Sequence, residues 1–152
     1  GQIVVSGWEK ALEEFAARAR LDGAKRIVPL ATSGPFHSSL MERIAPQWQE
    51  IVEKVRLAPV AVPYVANVNA EYLSEPATIR AALVRQVSSP VLWEQSMRKL
   101  VDDGFQLFVE VGPGQVLSGL ARRISPQAKV LSTDTYEQLL ATIEELEGGV
   151  GN

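Results

Sequence analysis

The sequence predicts an α/β fold with a parallel sheet and helical crossovers, and two observations carry that prediction. From residue 60 onward, short apolar runs alternate with segments in which apolar residues recur at helical spacing. Gly, Pro and Ser residues stand between them, where one element must end and the next begin. A hydrophobic content of 46% is enough for a sizeable core, and 152 residues fit one domain or part of a larger one.

The elements follow in order. The run 2-QIVVS-6 reads as a strand. In 6-SGWE-9, Ser6 is placed to cap a helix and Glu9 to close a capping box. Leu12, Phe15, Ala16 and Ala19 then share one helical face, and Gly23 is the stop. A second strand is expected over 26-RIVPLA-31. Leu40, Ile44, Trp48, Ile51, Val52 and Val55 repeat at helical spacing, and Pro46 within them predicts a kink or a two-part helix. A strand is expected over 63-PYVANV-68, then a helix from near Pro76, capped by Ser74, with Ile79, Leu83 and Val87 inward. A helix over about Trp93 to Asp103 stops at Gly104, and 105-FQLFVEV-111 reads as a buried strand. After 112-GPG-114 come a helix over about Gln115 to Ile124, the strand 128-AKVLS-132 and a last helix over about Tyr136 to Leu146. The tail 148-GGVGN-152 reads as a flexible end. The chain opens on a strand-like run without a methionine, and is read as starting inside a structural unit.

Composition excludes several classes of function. With 15 basic and 18 acidic residues the net charge is -3, which argues against a general nucleic-acid or membrane binder. There is no cysteine, so no disulfide framework, thiol nucleophile or Cys-ligated metal site. No apolar run is long enough to cross a bilayer and no signal peptide is visible, so the expectation is a cytoplasmic protein.

The chemistry must come from few residues. His37, in 32-TSGPFHSSLM-41, is the only histidine. An imidazole exchanges protons near neutrality, and loops after strands are where α/β enzymes place working groups. A surface or packing histidine is the competing reading, and spacing alone favours it. One histidine without cysteine supports no metal site. A serine hydrolase or transferase needs a nucleophile on a strand-to-helix elbow such as Gly-x-Ser-x-Gly, and the sequence has none. Ser33, Ser38 and Ser39 flank His37, but sequence neighbours are poorly placed for in-line attack. The turn 112-GPG-114 is explained most simply as a tight βα turn, with an anion site at the helix N-terminus as the alternative. The pair 122-RR-123 reads first as a solvated helix face.

Five blocks taken together resemble one family. They are 2-QIVVSG-7, 23-GAKRIVPL-30, 33-SGPFHSSLM-41, 83-LVRQVSSPVLW-93 and 110-EVGPGQVLSGL-120. In order and spacing they are similar to malonyl-CoA:acyl carrier protein transacylases, and the Gly-Pro-Phe-His-Ser and Glu-Val-Gly-Pro-Gly blocks are the most specific. Acyltransferase domains of polyketide and fatty-acid synthases share that fold. The resemblance covers only the family's C-terminal half. It implies part of a hydrolase-like parallel-sheet core plus the remainder of a small ferredoxin-like subdomain. Residues 1–31 would be the end of that subdomain, 32–59 the histidine loop and a connecting helix, 60–147 the returning core, and 148–152 the tail. The family's N-terminal half would carry the elbow serine, the arginine that pairs with the malonyl carboxylate and a glutamine near the oxyanion hole.

The resemblance assigns roles residue by residue. His37 matches the catalytic histidine, which takes the proton of the serine on the other half as it attacks the malonyl thioester. Gln86 matches the residue whose main-chain carbonyl orients that histidine. Phe36 would wall the acyl pocket. The substrates would be malonyl-CoA and phosphopantetheinylated acyl carrier protein, with no metal or redox cofactor. Because carrier proteins are acidic, Lys25, Arg26, Arg122 and Arg123 are the candidates for docking them. The sequence departs from the family at Ala66 and Asn69, where many members have Asn and Asp, and at Pro46, a few positions later than usual. The alternative is a non-catalytic module that retains the fold and binds carrier protein, or a polyketide synthase acyltransferase domain. The expected partners are therefore the family's other half, malonyl-CoA and the carrier protein, with no nucleic acid and no membrane.

Overall fold

A computed structural model describes residues 2–149, and the chain divides into two units, one ending at Leu92 and the other beginning at Trp93.

The first unit opens on an extended segment and then helix α1, Glu9–Leu21. Leu12, Ala16 and Ala19 are half-buried as their spacing predicts, but Phe15 is exposed and no α1 residue is fully buried. Asp22 is the C-cap, and Gly23 takes φ +95° just after it, a conformation glycine adopts without strain. The runs 2–6 and 26–31 are not strands. A strand exists only when its backbone pairs with a neighbour, and neither run has one among the described residues. Apart from half-buried Ile27, their large apolar side chains stay in the open, with Ile3 88% and Leu30 57% exposed. Ser6 does not cap α1 either. Trp8 is the N-cap, without a side-chain bond.

Pro46 divides the next helix as expected. A 3₁₀ helix, Ser39–Ile44, leads into α2, Ala45–Lys54, with the proline in its first turn, where its missing N–H costs nothing. Met41 and Val52 are buried and Trp48 is half-buried, while Ile44, Ile51 and Val55 face outward. The strand β1, Tyr64–Ala66, pairs antiparallel with β2, Glu71–Leu73. This pair is antiparallel, unlike the parallel pairing that the alternation from residue 60 predicts for its first strand. The intervening turn is closed by the Ala70 N–H on the Ala66 carbonyl at 2.8 Å. Helix α3, Pro76–Gln86, has Glu75 rather than the expected Ser74 as its N-cap, without a side-chain bond. Its buried Ala82 meets Ala66 and Val68 in the unit's small core, with Leu73 against them.

The second unit is the α/β order the sequence predicts. Helix α4, Trp93–Asp102, ends before Gly104, which adopts φ +95°. The strand β3, Leu107–Glu110, pairs in parallel with β4, Lys129–Ser132. Helix α5, Val116–Ile124, makes the crossover. The last helix, α6, runs Tyr136–Gly149, past the expected end at Leu146 and through the first residues of the segment read as a tail. The remainder of that tail, 150–152, lies outside the described residues. Among the described residues no helix is long and apolar enough to cross a membrane, and no group of acidic and histidine residues is placed to hold a metal ion.

Candidate active site

The single histidine occupies a strained backbone position. His37 has φ +61°. The left-handed region costs a residue with a Cβ about 1–2 kcal/mol, although histidine enters it more readily than most. Such strain persists only where the surroundings over-determine it. Around His37 they do. Its N–H donates to the Val87 carbonyl at 3.0 Å, and its Nδ1 lies 2.9 Å from the Gln86 carbonyl oxygen. The preceding carbonyl, that of Phe36, accepts from the Ser6 hydroxyl at 3.0 Å. Ser38 closes the turn by donating its hydroxyl to the Pro35 carbonyl at 2.7 Å.

The acceptors come from the C-terminal turn of α3. The last carbonyls of a helix have no partner within it and are available to other groups. Gln86 and Val87 offer theirs to His37, and Leu83 offers its own to the Trp48 indole N–H at 2.9 Å, which ties α2 to the same turn. The Gln86 side chain fixes the chain beyond the helix by donating to the carbonyls of Ser89 at 3.0 Å and Pro90 at 3.2 Å. A carbonyl only accepts, so Nδ1 carries the ring proton in this arrangement. Nε2 is then the nitrogen with the free lone pair, on a residue that is exposed. The Phe36 side chain beside it is 43% exposed.

The structure thus brings His37, Gln86 and Phe36 together within the first unit. Lys25 and Arg26 lie exposed between α1 and the histidine turn. Arg122 and Arg123 are on the last turn of α5 in the second unit, and Arg122 donates to the Val130 carbonyl at 2.9 Å, so it also ties α5 to β4. Sequence reasoning missed Ser6 and Val87. A contact spanning so much chain leaves no periodic signal, and a main-chain acceptor is independent of side-chain identity.

The 112-GPG-114 turn has its donors already engaged. Gly112 and Gly114 take φ +125° and +89°, which only glycine adopts at little cost. Their N–H groups donate to the Thr133 hydroxyl at 3.1 Å and to the Asp134 carboxylate at 2.6 Å. The first amides of α5, those of Leu117 and Ser118, donate to the Glu110 carboxylate at 3.1 and 2.7 Å. The helix N-terminus therefore holds an anion of its own, and the tight-turn reading applies. Beside the Ser118 side chain, whose buried hydroxyl makes no hydrogen bond among the described residues, the Ser118 and Leu117 amides and the Arg122 charge hold the Glu110 carboxyl below its usual range against the opposing effect of burial. A groove of about 380 Å³ in this unit, lined by Val101, Phe105, Ser125 and Gln127 among others, contains no titratable side chain.

Comparison with known proteins gives a consistent answer. No family model matches the chain. Over 147 residues it is 39% identical to the malonyl CoA-acyl carrier protein transacylase of Bacillus subtilis strain 168, covering 97% of this chain and 46% of that protein. It is 40% identical over 139 residues to the protein of the same name from Staphylococcus aureus strain COL, covering 91% of this chain and 45% of that protein. The chain thus spans a little under half the length of these relatives. Among solved structures, the acyl-carrier-protein-S-malonyltransferase of Bartonella henselae superposes with a TM-score of 0.85 at 37% identity, over 91% of this chain and 44% of that one. A malonyl-transacylase solved in complex with its type II polyketide acyl-carrier protein gives a TM-score of 0.88 at 32% identity, over 91% and 45%.

Proposed function

The chain belongs to the malonyl-CoA:acyl carrier protein transacylase family by homology to its C-terminal part, and from that premise we propose that it supplies the general base of a malonyl transfer. The complete protein would move malonyl from CoA to the phosphopantetheine thiol of an acyl carrier protein. The observation that carries this reading is the held imidazole, with Nδ1 on the Gln86 carbonyl and Nε2 available.

The steps follow from that geometry. A serine from the part of the family's length that this chain does not span would attack the malonyl thioester carbonyl. His37 Nε2 would take the serine proton as the Oγ–C bond forms. The C–S bond then breaks, and the imidazolium returns its proton to the departing CoA thiol. The resulting serine ester is attacked by the carrier-protein thiol through the same steps in reverse, so the kinetics are ping-pong. No metal or redox cofactor enters these steps. The Gln86 carbonyl would hold the tautomer that a carboxylate holds in a triad. The C-terminus of α3, with its partial negative charge, favours positive charge developing on the ring. Phe36 would wall the acyl pocket. Lys25, Arg26 and Arg123, with Arg122 in part, would attract the acidic carrier protein. The division into a subdomain end at 1–31, a histidine loop at 32–59 and a returning core from 60, in a cytoplasmic enzyme, belongs to the same proposal.

The proposal is tested by mixing malonyl-CoA and holo acyl carrier protein with this chain alone and with the complete protein. Malonyl-carrier protein should form only with the complete protein, with a malonyl ester on its serine in the absence of carrier. Absence of transfer by an intact, folded complete protein would leave the non-catalytic carrier-binding reading.

A further inference from the structure

We propose that Ser6 is a positioning residue for His37, an inference that rests on the reading of His37 as the base. The peptide unit between Phe36 and His37 is clamped at both ends. Its carbonyl accepts from the Ser6 hydroxyl at 3.0 Å, and its N–H donates to the Val87 carbonyl at 3.0 Å. That peptide plane is what defines φ at His37, and φ there is +61°, where the backbone needs external support. Val87 supplies one side of the support and Ser6 the other, from a segment with no regular structure of its own. Freed of Ser6, the peptide is able to rotate toward an ordinary conformation. Rotation carries the ring away from the Gln86 carbonyl and loosens the tautomer that leaves Nε2 free. Ser6 is half-buried, and its bond to the Phe36 carbonyl is solvent-exposed, so a water that takes the place of the hydroxyl satisfies the carbonyl without tethering it to the chain. The position also explains why Ser6 leaves the helix-cap role to Trp8: its hydroxyl is committed elsewhere.

The test uses the complete protein carrying Ser6→Ala, Ser6→Thr and Ser6→Cys. Loss of one net hydrogen bond corresponds to about 3- to 10-fold in kcat, with KM for malonyl-CoA little changed. Ser6→Thr should restore most of the rate. Ser6→Cys, similar in size but a weak donor, should behave like Ser6→Ala and serves in its place if the alanine protein does not fold. Independently of activity, ¹⁵N spectra of labelled histidine, with the His37 signal identified by its loss in His37→Gln, should show a smaller share of the Nδ1–H tautomer in Ser6→Ala. An unchanged kcat together with an unchanged tautomer share would overturn the inference. If His37→Gln itself transfers malonyl normally, the transacylase reading falls, and the spectra still decide what Ser6 does to the ring.

Discussion

The imidazole Nδ1 of His37 lies 2.9 Å from the main-chain oxygen of Gln86, so the orienting group of the ring is a helix-terminal carbonyl rather than a side chain. Substitution of Gln86 leaves that oxygen in place. What it removes is the amide that donates to the Ser89 and Pro90 carbonyls and fixes the turn beyond α3. Gln86→Ala should therefore lower malonyl transfer by less than about 10-fold, well short of the loss expected for a general base. Steady-state kinetics of the complete protein check this. A loss as large as that of a His37 variant would mean that the side chain itself takes part.

The strain at His37 makes a second prediction. At φ +61°, glycine avoids the left-handed penalty that alanine bears. His37→Gly should be more stable than His37→Ala by up to about 1 kcal/mol, the gain being reduced by the greater freedom of glycine in the unfolded chain. Both should show the same large loss of malonyl transfer, since neither has a base. Thermal unfolding of the two variants decides it, and an alanine protein as stable as the glycine one would show that the turn relaxes once the ring is gone.

Glu110 provides a pH signature. Its folded-state carboxyl is depressed beside Ser118, where the Ser118 and Leu117 amides donate to it at the start of α5. A depressed acid stabilises the fold above its ordinary, unfolded-state range, and the contribution is lost as pH falls through the lower folded value. The wild-type Tm should thus decline on acidification below the ordinary glutamate range. Glu110→Gln should start lower at neutral pH and decline less. Parallel Tm–pH curves would remove the carboxylate from the account.

Much of this architecture was legible because its signals are local. Gly23 and Gly104 ended their helices where expected, Pro46 divided the second helical segment, and the parallel β3–β4 pair with its α5 crossover matched the alternation after residue 60. The runs 2–6 and 26–31 have strand-like composition but no strand neighbours among the described residues, and composition does not supply a partner. The strand β2, 71-EYL-73, is too short for alternation to show. At the site, His37 stood out as the lone imidazole and the family resemblance supplied Gln86. Ser6 looked like a helix cap, because its real acceptor is the carbonyl of Phe36, distant in sequence.

The arginines of α5 are now unequal. Arg122 bonds the Val130 carbonyl, so reversing it also disturbs the join between α5 and β4. Arg123→Glu is the cleaner variant. In the complete protein it should raise KM for the carrier protein at low ionic strength, less so at high salt, and leave loading from malonyl-CoA nearly unchanged. Lys25→Glu with Arg26→Glu is the comparison, and carrier kinetics indifferent to both sets would leave these residues as solvated surface.

The central claim is that His37 is the base of malonyl transfer. The most direct measurement is the transfer rate from malonyl-CoA to carrier protein in the complete protein carrying His37→Ala, with folding checked by its thermal transition. The account predicts a fall of roughly 10²- to 10⁴-fold. Transfer at a near-normal rate by the folded variant would contradict it.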